Sequence, residues 1–175
     1  RVARFATDLA LVAGLSQEQI SELKRGGLLH DIGKIGVPDA LLGKPGKLTK
    51  EEFQVIQQHP VIGENICQSL KSFSSILSLI RSHHERIDGS GYPDGLKGDG
   101  ICFPEQILSV ADSFEAMTSG RPYRGGLPLE RVERIFLEEG DAGHFDRELV
   151  RLAFERFPFW TEEYLNLDKA RGAKD

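Results

Sequence analysis

The sequence predicts an all-α domain. Apolar residues recur at helical spacing, Ser/Thr capping signatures open several of those stretches, and no run of alternating apolar residues reads as a strand. Residues 1–13 place Val2, Phe5, Ala6, Leu9 and Val12–Ala13 near helical spacing, and Gly14 reads as the stop. Ser16-Gln17-Glu18-Gln19 is a capping-box start. Ile20, Leu23 and Leu28 continue an apolar stripe, and the helix should deliver His30 and Asp31 at its C-terminal end. Residues 33–47 hold four glycines and two prolines and read as a loop. Thr49-Lys50-Glu51-Glu52 opens a helix with Phe53, Val55 and Ile56, and His59 is expected at its end. Pro60 suits the first turn of the next helix, which carries Ile62, Ile66 and Leu70. Ile76, Leu77, Leu79 and Ile80 lead into His83-His84 on a further helix.

Residues 86–103 read as one long loop rich in glycine (Gly89, Gly91, Gly95, Gly98, Gly100), a length that in a compact domain points to function or disorder. Pro104 opens a helix with Ile107, Leu108, Ala111, Phe114 and Met117, and Asp112 rides on it. Gly120 to Gly126 is a turn containing Arg121-Pro122-Tyr123-Arg124. Helices are expected at roughly 128–139 and 146–158, then a polar tail or linker over 159–175.

At 175 residues the chain is one domain, 1–158, plus that tail, and its first helix reads as incomplete. It starts at Arg1 without Met, as part of something longer would. A hydrophobic fraction of 39% supports a packed core, and a net charge of −5 is unlike the basic footprint of a DNA- or RNA-binding domain. No apolar run approaches the ~18 residues of a membrane span. Cys67 and Cys102 share no CxxC pattern and read as small buried apolar residues in a reducing, cytoplasmic setting.

The chemistry concentrates in histidine and aspartate. Four of the five histidines, His30, His59, His83 and His84, fall at helix ends beside loops, with Asp31 and Asp112 among them. These donors suit borderline and hard divalent cations such as iron, manganese or zinc. Neighbours on a helix point about 100° apart, so an adjacent pair serves two nearby ions better than one. Asp31 is the natural bridge. His30 with Asp112 completes one site, His59 with His83 a second, and His84 reaches a third position or the ligand. Such a cluster fits hydrolysis of a phosphate ester. Lys34 is placed to reach a phosphate oxygen, and Arg121 and Arg124 have the guanidinium geometry for bidentate phosphate contacts. Tyr92 can stack on a base or bond a phosphate. His144, near an N-cap at Asp146, reads as structural.

These residues resemble a known family, the HD-GYP domains, a bacterial branch of the HD-domain metal-dependent phosphohydrolases. The resemblance covers roughly residues 1–158. It rests on Leu29-His30-Asp31-Ile32-Gly33-Lys34, Lys44-Pro45-Gly46-Lys47-Leu48-Thr49, His59-Pro60, His83-His84-Glu85 and Asp88-Gly89-Ser90-Gly91-Tyr92-Pro93. Ala111-Asp112, Arg121-Pro122-Tyr123-Arg124 and Gly143-His144-Phe145-Asp146 extend it. It implies an all-helical HD fold and hydrolysis of the second messenger cyclic di-GMP, to pGpG and often on to GMP, with two or three iron or manganese ions.

Carried over by position, the resemblance implies metal ligation by His30, Asp31, His59, His83, His84 and Asp112, and phosphate contacts by Lys34, Arg121 and Arg124. It assigns Gly91-Tyr92-Pro93 to substrate contact and to docking of diguanylate cyclase domains, and it implies an upstream receiver or sensor domain. Two family ligands, a histidine three residues before Arg1 and a glutamate further upstream, belong to positions ahead of this sequence. Glu115 stands where an aspartate is more usual, and is expected to orient a neighbouring ligand or Lys34, or to misplace one. A cyclic-dinucleotide-binding or partner-docking module with little turnover, and a phosphohydrolase of another cyclic dinucleotide, are the alternatives.

Overall fold

The computed structural model describes residues 1–119 and 126–156, and among these the regular structure is entirely helical. The α-helices are α1 Val2–Val12, α2 Gln17–Leu29, α3 Asp39–Leu42, α4 Lys50–Ile56, α5 His59–Cys67, α6 Leu77–Ser82, α7 Phe103–Thr118 and α8 Leu129–Asp141. A ninth, α9, runs over 147–156. Short 3-10 turns lie at Ile32–Gly36, Lys71–Ile76 and Gly98–Gly100. The tail at 159–175 and the Arg121-to-Arg124 turn fall outside the described residues.

Local chemistry sets the boundaries. Gly14 takes φ +78° just after α1, a conformation that costs glycine nothing. Ser16 caps α2 as a reciprocal box: its Oγ accepts from the Gln19 N–H at 3.3 Å, and the Gln19 side chain accepts from the Ser16 N–H at 3.0 Å. Thr49 and Glu52 repeat the arrangement on α4. The Asp146 carboxylate accepts the Leu149 N–H at 2.7 Å at the start of α9, as an N-cap does.

The core forms where α1, α2, α6 and α7 pack together, with α8 and α9 closing it. Leu9, Leu23, Ile80, Ile107, Leu108 and Phe114 are fully buried. Phe5 meets Phe114 edge-on at 5.1 Å, and Phe136 stacks on Phe145 at 5.2 Å.

Several expectations need correction. The buried face of α2 runs through Ile20, Leu23, Gly26 and Gly27, and Leu28 is 69% exposed. Small residues are required there because α1 crosses closely: a Cβ on Gly27 would sit 2.7 Å from Ala3 Cα. His59 does not end α4; it begins α5, beside Pro60. The face that α5 buries is His59, Pro60, Gly63 and Cys67, so Ile66 points to solvent, and Leu70 lies beyond the end of the helix, also exposed. Residues 33–47 are not all loop, since they include most of a 3-10 turn and all of α3. Cys67 is buried, but Cys102 is exposed, because it occupies the N-cap of α7 where the chain turns in from the surface.

Among the described glycines, the one with least room for a Cβ lies under the candidate ligands. Gly33 in the first 3-10 turn touches α5 backbone to backbone, so a Cβ there would fall inside the contact radius of the His59 carbonyl oxygen and 2.5 Å from the Gly63 nitrogen. Neither neighbour is a side chain that can rotate away. Gly33→Ala is therefore expected to destabilise the protein by about 3 kcal/mol or more in urea unfolding. Gly100→Ala, whose Cβ meets nothing nearer than Leu96 Cβ at 3.8 Å, serves as the near-neutral control.

Candidate metal centre

Three helix termini bring the histidines together. His30 is the C-cap of α2, His59 the first residue of α5 and His83 the C-cap of α6. Each ring bonds through Nδ1 to the carbonyl oxygen three residues back: His30 to Gly27 at 2.9 Å, His59 to Ile56 at 2.8 Å and His83 to Ile80 at 2.8 Å. A carbonyl only accepts, so Nδ1 carries the proton in each neutral ring and Nε2 presents a lone pair.

The lone pairs converge. His59 Nε2 and His83 Nε2 are 3.2 Å apart. Two acceptors at that distance do not bond each other; they are the donor pair a cation needs. His30 Nε2 is buried with no hydrogen-bond partner among the described residues, 3.4 Å from both Asp31 Oδ2 and Asp112 Oδ1. Asp31 turns Oδ1 toward His59 Nε2 at 3.3 Å and Oδ2 toward His30. One carboxylate thus faces both halves of the site, as a bridging ligand must. Asp112, on α7, lies between His30 and His84, its Oδ2 3.9 Å from His84 Nδ1. Ligand atoms of Asp31, His59, His83 and His84 all lie within 4.8 Å of one another. The residues therefore fit a divalent cation by donor type and by the bare nitrogens they aim at one point.

Electrostatics favour neutral imidazoles over much of the site. Burial, reinforced by His84 and His30, pushes His83 well below the ordinary histidine value. Burial pushes His84 down to about 3, against the pull of Asp112. His30 differs: burial opposes its charge, but Asp112 and Asp31 outweigh that and raise it. Burial alone would raise Asp31, yet His59, His30 and Lys34 hold it below the usual carboxylate range. Lys34 Nζ lies 2.6 Å from Asp31 Oδ2, so its ammonium already stands on a candidate ligand rather than out in the pocket.

The glycine-rich segment is a folded unit, organised by a residue that sequence reasoning missed. Glu85 is buried, and its carboxylate accepts three backbone N–H groups: Asp94 at 2.7 Å, Gly95 at 3.1 Å and Leu96 at 3.0 Å. Its place directly after His83-His84, in front of a loop with free amides, was the available signal. Gly91 seats against the Glu85–Arg86 backbone, where a Cβ would come within 2.5 Å of Glu85 Cα. Tyr92 then stacks on the His84 ring at 4.7 Å and 28°. Arg86 ties the root of the loop to α7 beside Asp112, bonding Ser109 Oγ at 2.6 Å with its guanidinium over the Phe145 ring. His144 links Glu139, 2.6 Å from Nδ1, to Asp88, 3.3 Å from Nε2, in keeping with a structural role.

Glu115 meets neither Lys34 nor a candidate ligand. Its carboxylate accepts from Ser119 Oγ and lies 3.8 Å from Arg1, because it sits most of a turn past Asp112, near the end of α7. Arg121 and Arg124 lie outside the described residues.

The HD domain family model matches residues 1–149. A 3'3'-cGAMP-specific phosphodiesterase 1 of Vibrio cholerae is 40% identical over 149 residues, covering 85% of this chain and 35% of that protein. A cyclic di-GMP phosphodiesterase of Thermotoga maritima is 47% identical over 138 residues, covering 77% of this chain and 37% of that protein. The chain thus spans about a third of the length of these curated relatives. In fold it is similar to Bd1817, an HDG"Y"P protein from Bdellovibrio bacteriovorus, with a TM-score of 0.75, 22% identity, and coverage of 90% of this chain and 50% of that one.

Two outcomes follow from this geometry. A histidine raised above 6.5 is mostly protonated at pH 6.5, and a cation must displace that proton to reach Nε2. Titration of metal-stripped protein with Mn2+ at pH 6.5, in buffers of different ionisation enthalpy, is expected to release more than about half a proton from His30. His84 should contribute none, and release should vanish as pH rises past the raised value. Glu85→Gln, which halves the acceptor oxygens, should cost about 3 kcal/mol and speed amide exchange at residues 94–96.

Proposed function

This chain belongs to the HD domain family, with the motifs of its HD-GYP branch, and from that premise we propose that it is the output domain of a bacterial signalling protein, a metal-dependent phosphodiesterase that hydrolyses cyclic di-GMP to pGpG or on to GMP. The observation that carries this reading is the set of bare imidazole nitrogens of His30, His59 and His83 gathered beside one half-buried aspartate, Asp31. Relatives at 40% and 47% identity, named for cyclic-dinucleotide hydrolysis, support the substrate class.

His30, Asp31, His59, His83, His84 and Asp112 would hold two or three divalent ions, iron or manganese by family resemblance. Such ions supply an acidified water as nucleophile and positive charge against the phosphoryl oxygens. The protein's own residues do the rest. Asp31 spans the two halves of the site and fixes their separation. The carbonyls of Gly27, Ile56 and Ile80 hold three rings in one tautomer and orientation. By family resemblance Arg121 and Arg124, and Lys34 once it leaves its pairing with Asp31, are the cations for the substrate phosphates, with Gly91, Tyr92 and Pro93 at the rim. The domain would occupy 1–158 and act in the cytoplasm, joined to an upstream receiver or sensor domain, with the Gly-Tyr-Pro loop offered to diguanylate cyclase domains. No helix among the described residues is long and apolar enough to cross a membrane.

A second reading takes 3'3'-cGAMP as substrate. It is favoured by the relative named for that dinucleotide, which aligns with 85% of this chain. Turnover of both dinucleotides side by side, on manganese-loaded protein, separates the two. Asp31→Ala is expected to lower turnover by more than the ~10–100-fold that follows loss of a supporting partner. Unchanged turnover in that variant would overturn the mechanism, and binding without product would turn the domain into a sensor.

A further inference from the structure

Phe53 lies on α4, a helix that buries none of its residues, and the ring is 44% exposed. A single exposed apolar residue ordinarily needs no explanation. This one stands at the edge of the metal centre. Its only ring contact among the described residues is Tyr92, at 6.0 Å and 81°. Tyr92 lies flat on His84 at 4.7 Å. Two ring contacts therefore separate Phe53 from a candidate ligand.

Polar interactions hold α4 in place. Thr49 and Glu52 cap it, and Lys44 Nζ reaches both Glu52 oxygens at 2.7 Å. The Phe53 ring is thus available rather than consumed by packing. Its plane and that of Tyr92 meet nearly at right angles and form an apolar corner, with the exposed Phe53 ring on its outer side and His84 beneath Tyr92. A planar heteroaromatic fits such a corner by stacking on one ring and meeting the edge of the other. In a cyclic dinucleotide each phosphodiester is flanked by two base-bearing sugars, so a phosphate over the histidines carries a base toward the rim.

We infer that Phe53, together with Tyr92, forms the seat for a purine base of the bound cyclic dinucleotide. The identity of that ligand rests on the phosphodiesterase reading above, but the seat itself is tested by binding rather than by turnover. The experiment is stopped-flow titration of manganese-loaded protein with a cyclic dinucleotide carrying 2-aminopurine in place of one guanine, reading the fluorescence change of the first phase. Phe53→Leu keeps an apolar side chain against Tyr92 but removes the flat π face.

That variant is expected to weaken Kd about tenfold, within the range of base–aromatic stacking, while Phe53→Trp stays within about twofold of wild type. Both variants should keep the wild-type Tm, which excludes a general loss of folding. A Phe53→Leu Kd equal to wild type overturns the seat, as does absence of any binding signal on the wild type. Cyclic di-GMP turnover by the same wild-type preparation is scored separately, so loss of the phosphodiesterase reading and loss of the base seat give different results.

Discussion

Three buried imidazoles donate their Nδ1 protons to the carbonyl three residues behind them, and much of the molecule is arranged so that they can. The bond needs a helical turn ending or beginning at the histidine, which fixes where α2, α5 and α6 stop or start. It also commits Nε2 to the pocket as an acceptor. Burial would make three such acceptors costly if they faced only one another. Without a cation, a second proton on His30, drawn by Asp112 and Asp31, and the Lys34 ammonium on Asp31 offset part of that cost.

The packing follows the same demand. His59 and Asp31 belong to neighbouring elements that approach through Gly33 and Gly63, where no side chain intervenes. On that side α5 buries Gly63 and Cys67, while Val61 and Ile62 are half-buried and Ile66 is exposed. Close approach of backbones, rather than burial of leucine and isoleucine, sets the distance between these two ligand-bearing segments. The conventional core stands behind them, with Leu9, Leu23, Ile80 and Phe114 giving the short helices a rigid support.

How much of this was legible in the sequence depended on how local the signal was. The capping boxes at Ser16 and Thr49 and the stop at Gly14 are local chemistry, and they lie where the sequence places them. Counting donors suggested pairing His30 with Asp112, His59 with His83, and Asp31 with both, and the structure places these side chains beside one another. Ile66 has helical period as surely as His59, Gly63 and Cys67 do, yet it lies on the outer face of α5, and Leu70 lies past the helix end. Period says that a stripe exists, while only the partner element decides which stripe is buried. Glu85 was overlooked because its partners are main-chain amides nine to eleven residues away, which no side-chain pattern announces.

The anchoring of the glycine-rich segment bears on how such a domain can diversify. The residues fastened to the scaffold are Glu85, Ile87, Tyr92, Asp94 to Leu96 and Gly98, whose N–H reaches the Ile87 carbonyl at 2.9 Å, whereas Asp99 and Gly100 form an exposed tip. An insertion between Glu85 and Asp94 changes the register of the carboxylate clasp and moves the ring that covers His84. An insertion after Gly98 lengthens only an exposed tip. The segment therefore divides into a stretch whose length is locked to the chemistry and a stretch free to vary, so new recognition surfaces can be added beside the pocket without retuning it.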